Sequence, residues 1–241
     1  MTLRRRILNT STLALAIGMV VFTIPTGAAT PSVWNAYYYN NGGVGGPTPA
    51  GLGSLVSLNF APGYVASLTT TSPAVTGNLT GLTVTADISV TRVSSTAHFV
   101  YQDAWCGSTP ASVRFFFTST AMSGTSWPQP GVPPAPWTPG TSPAFGLTPS
   151  AYYSHSWWSN PTALTLDSLN GTTLTLTATF SVDSWSDWNG QEASLVPDSF
   201  AAAVAHVKSI GFSFGGGCFF ENGATTSDGS GTFNVMAFSV G

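Results

Sequence analysis

The chain has 241 residues, of which 43% are apolar, 12% aromatic and only 6% charged, and its formal net charge is −3. This length and apolar content suffice for a substantial hydrophobic core. The negative charge argues against nucleic acid as a partner. No stretch reaches the roughly 18 consecutive apolar residues that a membrane-spanning helix needs, so we expect no membrane anchor.

Residues 1–29 have the pattern of a secretory signal peptide. Three arginines at positions 4–6 precede the apolar run 13–24, and small residues at 27–29 precede Thr30. Cleavage there leaves three basic against nine acidic residues in 30–241, a net charge of about −6. We therefore predict a secreted, extracellular protein. The arginine run fits an ordinary leader and a loose twin-arginine signal, so the Sec and Tat routes both stay open.

The two cysteines of the chain, Cys106 and Cys218, predict a single disulfide bond. An even number of cysteines in an exported chain usually pairs, because the extracellular space is oxidising. Chain entropy gives a closed loop of roughly 110 residues a stabilisation of up to about 4.7 kcal/mol. Two separate buried thiols are the alternative.

Alternating apolar and polar residues predict an all-β fold. The period of two is clearest over residues 79–93, 164–169 and 173–182, and Asn170-Gly171 between the last two segments predicts a type I′ hairpin turn. Many short strands with turn residues between them predict an antiparallel β-sandwich. Further strands are predicted from β-branched and aromatic residues at 54–60, 97–104, 112–119, 209–214 and 232–240.

One helix and one long loop interrupt this pattern. Residues 199–208 are Ala-rich and predict a short helix, which Asp198 or Ser199 can cap and which carries Phe200, Val204 and Val207 on one face. Residues 126–150 contain eight prolines and predict a long surface loop, because proline cannot donate to a strand ladder. We expect a single domain over 30–241, since composition is the same on both sides of this loop.

Aromatic side chains beside amides and carboxylates predict carbohydrate binding. Sugar rings stack their C–H faces on Trp and Tyr, while their hydroxyls bond to polar groups at the rim. Adjacent residues of a strand point to opposite faces, so we expect one of Trp157 and Trp158 to be exposed. The alternative places these rings in the core. The candidate glycan-binding residues are Trp105, Tyr153, Trp157, Trp158, Trp185, Asp187, Trp188, Asn189 and Gln191.

The densest acidic group is Asp183, Asp187 and Glu192. On an extended strand the first two would lie about 13 Å apart, too far for a glycosidase pair unless the chain bends. Three roles for this acidic group stay open: its carboxylates can bind backbone amides in turns, form a calcium site or take part in catalysis. The main alternative function is an extracellular polysaccharide hydrolase or lyase that uses these carboxylates with Asp103 or His98. Another is a cell-surface or matrix structural protein whose Thr-rich sheet packs against copies of itself.

Four segments near the carboxyl terminus, 180–190, 200–207, 210–214 and 231–238, follow one another as a Trp-containing strand, a helical turn, a core strand and a last strand. This order resembles the closing half of a galactose-binding-like jelly roll, of laminin-domain-IV-like and carbohydrate-binding-module type. The resemblance covers about residues 180–241. It implies a jelly-roll β-sandwich, non-catalytic glycan binding and a structural calcium ion.

Overall fold

The computed structural model describes residues 31, 33–40, 43–44, 48–49, 55–60, 63–92, 94–101, 107, 110–120, 156–160, 163–187, 192–216, 223–228 and 230–241. The predicted signal peptide 1–29, the predicted loop 126–150 and both cysteines lie outside these residues. Among the residues described, no helix is both long and apolar enough to cross a bilayer.

Short strands with alternating burial dominate the described chain, which confirms the predicted all-β fold. The described residues contain one α-helix, α1 (Pro197–Val204), and 3-10 helices at Leu166–Leu169 and Ala193–Leu195. The strands are β1 (Trp34–Asn40), β2 (Gly43–Val44), β3 (Thr48–Pro49), β4 (Val56–Asn59), β5 (Val65–Thr70), β6 (Thr83–Thr91), β7 (Phe99–Tyr101), β8 (Ser112–Ser119), β9 (Ser156–Ser159), β10 (Leu164–Thr165), β11 (Leu174–Thr179), β12 (Trp185–Asp187), β13 (Val207–Gly215), β14 (Ala224–Thr226) and β15 (Thr232–Val240).

Two antiparallel sheets form the sandwich. The larger sheet has the order β12-β9-β8-β13-β5-β1-β2, with β3, β7, β10 and β14 attached beside this path. The smaller sheet has the order β11-β6-β15-β4. Strand β6 shows why the sheets pack, because every second residue along it is buried. Its apolar side chains face the larger sheet and its Thr, Ser and Asp side chains face outward.

Aromatic rings fill the space between the two sheets. Phe212 on β13 lies 5.2 Å from Phe233 and 5.8 Å from Phe238, both on β15, and Phe214 lies 5.0 Å from Phe233. All four side chains are buried. Each such burial contributes about 1.5–3 kcal/mol, so this aromatic layer is a main source of the cohesion between the sheets.

The predicted hairpin around Asn170-Gly171 is wrong. Strand β10 is only two residues long and pairs with β8 in the larger sheet, whereas β11 pairs with β6 in the smaller sheet. Between them, Leu166 and Leu169 are buried at a spacing of three, which suits a 3-10 turn better than a strand. Gly171 still adopts a positive φ of 69°, but its turn carries the chain from one sheet to the other.

The predicted helix 199–208 is confirmed in its first half and wrong in its second. Phe200 and Val204 of α1 are buried as expected. Val207, which was expected on the same helical face, already belongs to β13. It exchanges backbone hydrogen bonds with Gly77 at 2.8 and 2.9 Å, and this pairing with the rest of the fold ends the helix early.

Candidate functional site

Four of the nine predicted glycan-binding residues lie in the described part of the chain. They are Trp157 and Trp158 on β9 and Trp185 and Asp187 on β12, two strands that pair with each other. All four are buried, with at most 3% exposed. The other five lie outside the described residues: Trp105, Tyr153, Trp188, Asn189 and Gln191.

Two of these indoles belong to the core. The Trp157 ring stacks on Phe117 with the centroids 6.3 Å apart, and the Trp185 ring stacks on Phe180 at 5.0 Å. The Trp185 Nε1–H donates to the carbonyl oxygen of Thr179 at 2.8 Å. Neither indole presents a ring face to solvent, so neither is available as a stacking platform in this structure.

Trp158 points to the opposite face of β9 from Trp157, as strand alternation predicts, but the prediction that one of the pair is exposed is wrong. The Trp158 ring lies 5.0 Å from Phe116, and both side chains are buried. Alternation fixes the direction of a side chain and not its exposure. Here both faces of β9 are covered in the folded chain.

The two carboxylates considered as an acidic pair occupy different environments. Asp183 is exposed and lies in the turn before β12, while Asp187 is buried at the end of that strand, opposite Trp157. They therefore do not share one extended strand. Instead, the structure brings Asp183 together with Glu192.

An open cleft of about 230 Å³ lies beside the edge strand β12 of the larger sheet. Its polar lining consists of two carboxylates, one amide and one hydroxyl, and its apolar lining comes from one Val, while the Trp beside it is buried. These residues are Asn160, Val182, Asp183, Trp185, Glu192 and Ser194.

Three short segments meet at this cleft, and backbone contacts hold them together. The N–H of Asn160, at the end of β9, donates to the carbonyl of Ser184 at 2.7 Å. Ser186 of β12 forms an isolated antiparallel bridge with Glu192. The strand end, the turn and the start of the second 3-10 helix are thus fixed relative to one another, so the cleft is largely preformed.

Arg114 supports the cleft from the neighbouring strand β8. Its Nη1 donates to the Oδ1 of Asn160 at 3.1 Å, which orients the amide. Burial lowers the pKa of Arg114 to about 10, because desolvation disfavours the charged guanidinium. The side chain still carries its proton at neutral pH, so it remains a donor to Asn160.

The cleft combines hydrogen-bonding groups with an apolar wall. Carboxylates accept from hydroxyls, whereas amides and hydroxyls both donate and accept, so the lining suits a ligand rich in hydroxyl groups. The described residues contain no group of three or more His, Cys, Asp or Glu side chains that could hold a metal ion.

His98, the other candidate for chemistry, does not line the cleft. Its Nδ1 lies 3.1 Å from Oδ2 of Asp167, on the first 3-10 helix. The same carboxylate accepts from the Nη1 of Arg92 at 3.4 Å and from the N–H of Phe99 at 3.1 Å. Asp167 therefore ties three segments of the fold together. Asp103, named beside His98 as a catalytic candidate, lies outside the described residues.

Replacing Asp167 by Ala should lower the free energy of unfolding by about 2–3 kcal/mol, because the backbone N–H of Phe99 loses its acceptor and the largely buried guanidinium of Arg92 is left with the carbonyl of Ala97. Urea denaturation measures this loss. Asp198→Ala is the matched control, since this exposed carboxylate of α1 should contribute at most about 1 kcal/mol through the helix dipole. Equal losses for both variants would show that Asp167 has no bridging role.

No protein-family model matches the chain, and neither a curated protein nor a solved structure is significantly similar to it. The site therefore has to be interpreted from its own residues. Ser194 and Arg114 are not among the residues that the sequence predicts for the site. Neither has a sequence signal. Arg114 reaches the site through the pairing of β8 with β9, and Ser194 is directed to it by the 3-10 helix Ala193–Leu195.

Proposed function

We propose that this protein is exported and binds extracellular carbohydrate without cleaving it, and that the cleft beside β12 is its binding site. The observation that carries the proposal is the lining of the cleft, in which Asp183, Glu192 and Asn160 stand beside the apolar side chain of Val182. Polar groups that converge beside an apolar wall are the usual composition of a sugar site. Recognition rests on hydrogen bonds, since the described indoles are buried.

The charge of the cleft restricts the ligand class. Two carboxylates line it, and the chain without its predicted signal peptide has a net charge of about −6. A polymer of uronic or sulfated sugars would be repelled by both. Neutral polysaccharides, whose hydroxyls can donate to the carboxylates, are therefore the proposed ligands.

Retention on insoluble neutral polysaccharides tests this function. The Asp183→Asn and Glu192→Gln variants keep the shape of the cleft but lose its charged acceptors. Because a hydrogen bond to a charged group contributes about 1.5–3 kcal/mol, each variant should bind about 10- to 100-fold more weakly. Asp198→Asn, which removes an exposed carboxylate outside the cleft, should bind like the parent protein.

Two results would contradict the proposal. The parent protein could fail to be retained by any neutral polymer in a broad panel, or the double variant Asp183→Asn/Glu192→Gln could be retained as well as the parent. Melting temperatures of all variants should be compared, because a loss of binding that accompanies unfolding says nothing about the cleft.

A hydrolase or lyase is the second candidate, and the specific observation in its favour is that Asp183 and Glu192 line one open cleft. Glycosidases place two carboxyl groups on opposite sides of the scissile bond. The release of reducing ends, or of unsaturated products, from the retained polymers distinguishes the two functions. Release that is lost in Glu192→Gln while binding remains would establish an enzyme.

The same proposal includes a disulfide between Cys106 and Cys218. It is supported by one glycine close to each cysteine, Gly107 and Gly216. A Cβ added to Gly107 would lie 3.2 Å from the Oη of Tyr101, and one added to Gly216 would lie 2.6 Å from the Cδ1 of the same ring. Two segments that flank the cysteines therefore touch one side chain. A disulfide there also agrees with the proposed export.

A further inference from the structure

The outer edge of the smaller sheet is formed by β11. This strand pairs with β6 on one side and with no described strand on the other. It is six residues long, without a register shift along its pairing with β6. Its Thr side chains at 175, 177 and 179 are exposed, whereas Leu176 and Ala178 face the core.

The pattern of hydrogen bonds leaves backbone groups of β11 directed away from the sheet. Thr83 of β6 and Gly241 exchange both of their backbone hydrogen bonds, at 2.9 and 3.0 Å. In an antiparallel sheet, successive residues of a strand bond alternately to the strands on its two sides. Because Thr83 bonds away from β11, the even-numbered residues of β6 bond toward it. Their partners in β11 are also even-numbered, as in the pair Ala178 and Val84, so the odd-numbered residues of β11 point outward. No described residue bonds to the outward N–H and C=O groups of Thr175 and Thr177.

The carboxyl-terminal end of this edge is already occupied. The carbonyl oxygen of Thr179 accepts from the N–H of Ser181 and from the Nε1–H of Trp185, each at 2.8 Å. The open part of the edge therefore runs over residues 173–177.

Two other edge strands of the described sandwich, β12 and β4, have protective features that β11 lacks. Strand β12 is only three residues long and contains a carboxylate, and β4 has four residues. Soluble proteins commonly protect an edge with a short strand, a charge, a proline or a bulge, because an unprotected edge pairs with another chain. The sequence of β11, Leu-Thr-Leu-Thr-Ala-Thr, has none of these features.

The sequence of the open edge fits a second copy of itself. About a two-fold axis at Thr175, antiparallel pairing places Thr173 opposite Thr177, Leu174 opposite Leu176, and Thr175 opposite its own equivalent. Each Thr keeps to the outer face and each Leu to the core face, as sheet continuity requires. The half-buried Leu174 would gain an apolar neighbour. An axis at Thr177 would need the carbonyl of Thr179, which is already bonded.

We propose that the protein forms a two-fold dimer through β11, in which the two smaller sheets join edge to edge. The partner is a second copy, because one two-fold axis pairs the open N–H and C=O groups of 173–177 with those of its equivalent. The same axis brings no charged side chains of β11 together and keeps each Thr and each Leu on its own face of the sheet. This dimer is independent of the proposed sugar site, since neither Thr173, Thr175 nor Thr177 lines the cleft.

Sedimentation velocity of the mature protein at increasing concentration tests the dimer. The parent protein should show a reversible monomer–dimer equilibrium. The double variant Thr173→Lys/Thr177→Lys should raise the dimer dissociation constant at least about tenfold, because each ammonium group would lie opposite an ammonium group of the other copy. Position 175 is avoided because Asp87 of β6 lies beside it and would offset the new charge. Ser239→Lys, on the same outer face but on the interior strand β15, should leave the constant unchanged.

Cross-linking gives a second measurement. Thr175 and its equivalent would form a hydrogen-bonded pair with Cα atoms about 5.5 Å apart, which is within disulfide range. Thr175→Cys should therefore form a covalent dimer under mild oxidation, whereas Ser239→Cys should not. A protein that stays monomeric at every concentration, or a dimer that Thr173→Lys/Thr177→Lys leaves intact, would overturn the proposal.

Discussion

Replacing Phe212 by Ala is expected to lower the free energy of unfolding by about 3–5 kcal/mol, the usual cost of removing a fully buried phenyl ring from a core. Phe212 is 0% exposed. Its ring contacts rings from both sheets: Trp34 at 6.2 Å and Phe115 at 5.6 Å in the larger sheet, and Phe233 at 5.2 Å in the smaller one. The substitution would therefore open a cavity between the two sheets.

Chemical denaturation measures this loss, and two further variants serve as controls. Phe212→Leu keeps most of the apolar volume and should cost less than Phe212→Ala. Met236→Ala removes an exposed side chain, 44% accessible, and should change stability by no more than about 0.5 kcal/mol. A loss below about 1 kcal/mol for Phe212→Ala would show that the sandwich is not held by its aromatic layer.

Removal of the proposed disulfide should have an effect of similar size. Replacing Cys106 and Cys218 together by Ser is expected to lower the free energy of unfolding by about 2–5 kcal/mol, because the unfolded chain regains the freedom of a long loop. Each single variant should lose as much as the double variant, since either substitution abolishes the bond. Reduction of the parent protein should reproduce the loss.

The pairing itself can be checked independently of stability. The intact mass of the exported protein should rise by two hydrogens on reduction, and alkylation without reductant should label neither cysteine. If both thiols react freely in the folded protein, the bond does not exist, and the glycines that touch Tyr101 are only packed there. The same mass also locates the start of the mature chain, predicted near Thr30.

Much of the sandwich could be predicted from period-two alternation. Strand β15 matches the predicted segment 232–240, and β6 lies within the predicted segment 79–93, because each has one buried and one outward face. Strand β5 gave no such signal, since all six of its residues are buried. A strand covered on both sides loses its alternation, so its sequence does not distinguish it from other apolar runs.

The error at Asn170-Gly171 has a different cause. An Asn-Gly pair between two alternating segments favours a hairpin through local chemistry alone. The Leu166 and Leu169 side chains instead anchor a 3-10 turn in the core, and Asp167 between them binds Arg92 and Phe99. These tertiary contacts outweigh the local preference, and the sequence gives no local sign of them.

The candidate site could be predicted only in its chemistry. The acidic group 183–192 was recognised, but its geometry depends on a turn that separates Asp183 from Asp187 and brings Asp183 to the same cleft as Glu192. The prediction that one of Trp157 and Trp158 is exposed was wrong, because strand alternation cannot say whether a second layer covers the outer face. Residue type indicated the ligand class, and packing decided which residues can reach it.

Titration of the protein with a soluble neutral oligosaccharide, followed by NMR of the Asn160 side-chain amide, most directly tests the proposed carbohydrate site. Asn160 lines the cleft and its Oδ1 is bonded to Arg114, so a sugar should shift the amide signal in a saturable way. The shift should be lost in the Asp183→Asn/Glu192→Gln variant. Binding that leaves the Asn160 signal unmoved, or a shift that persists in that variant, would contradict a sugar site in this cleft.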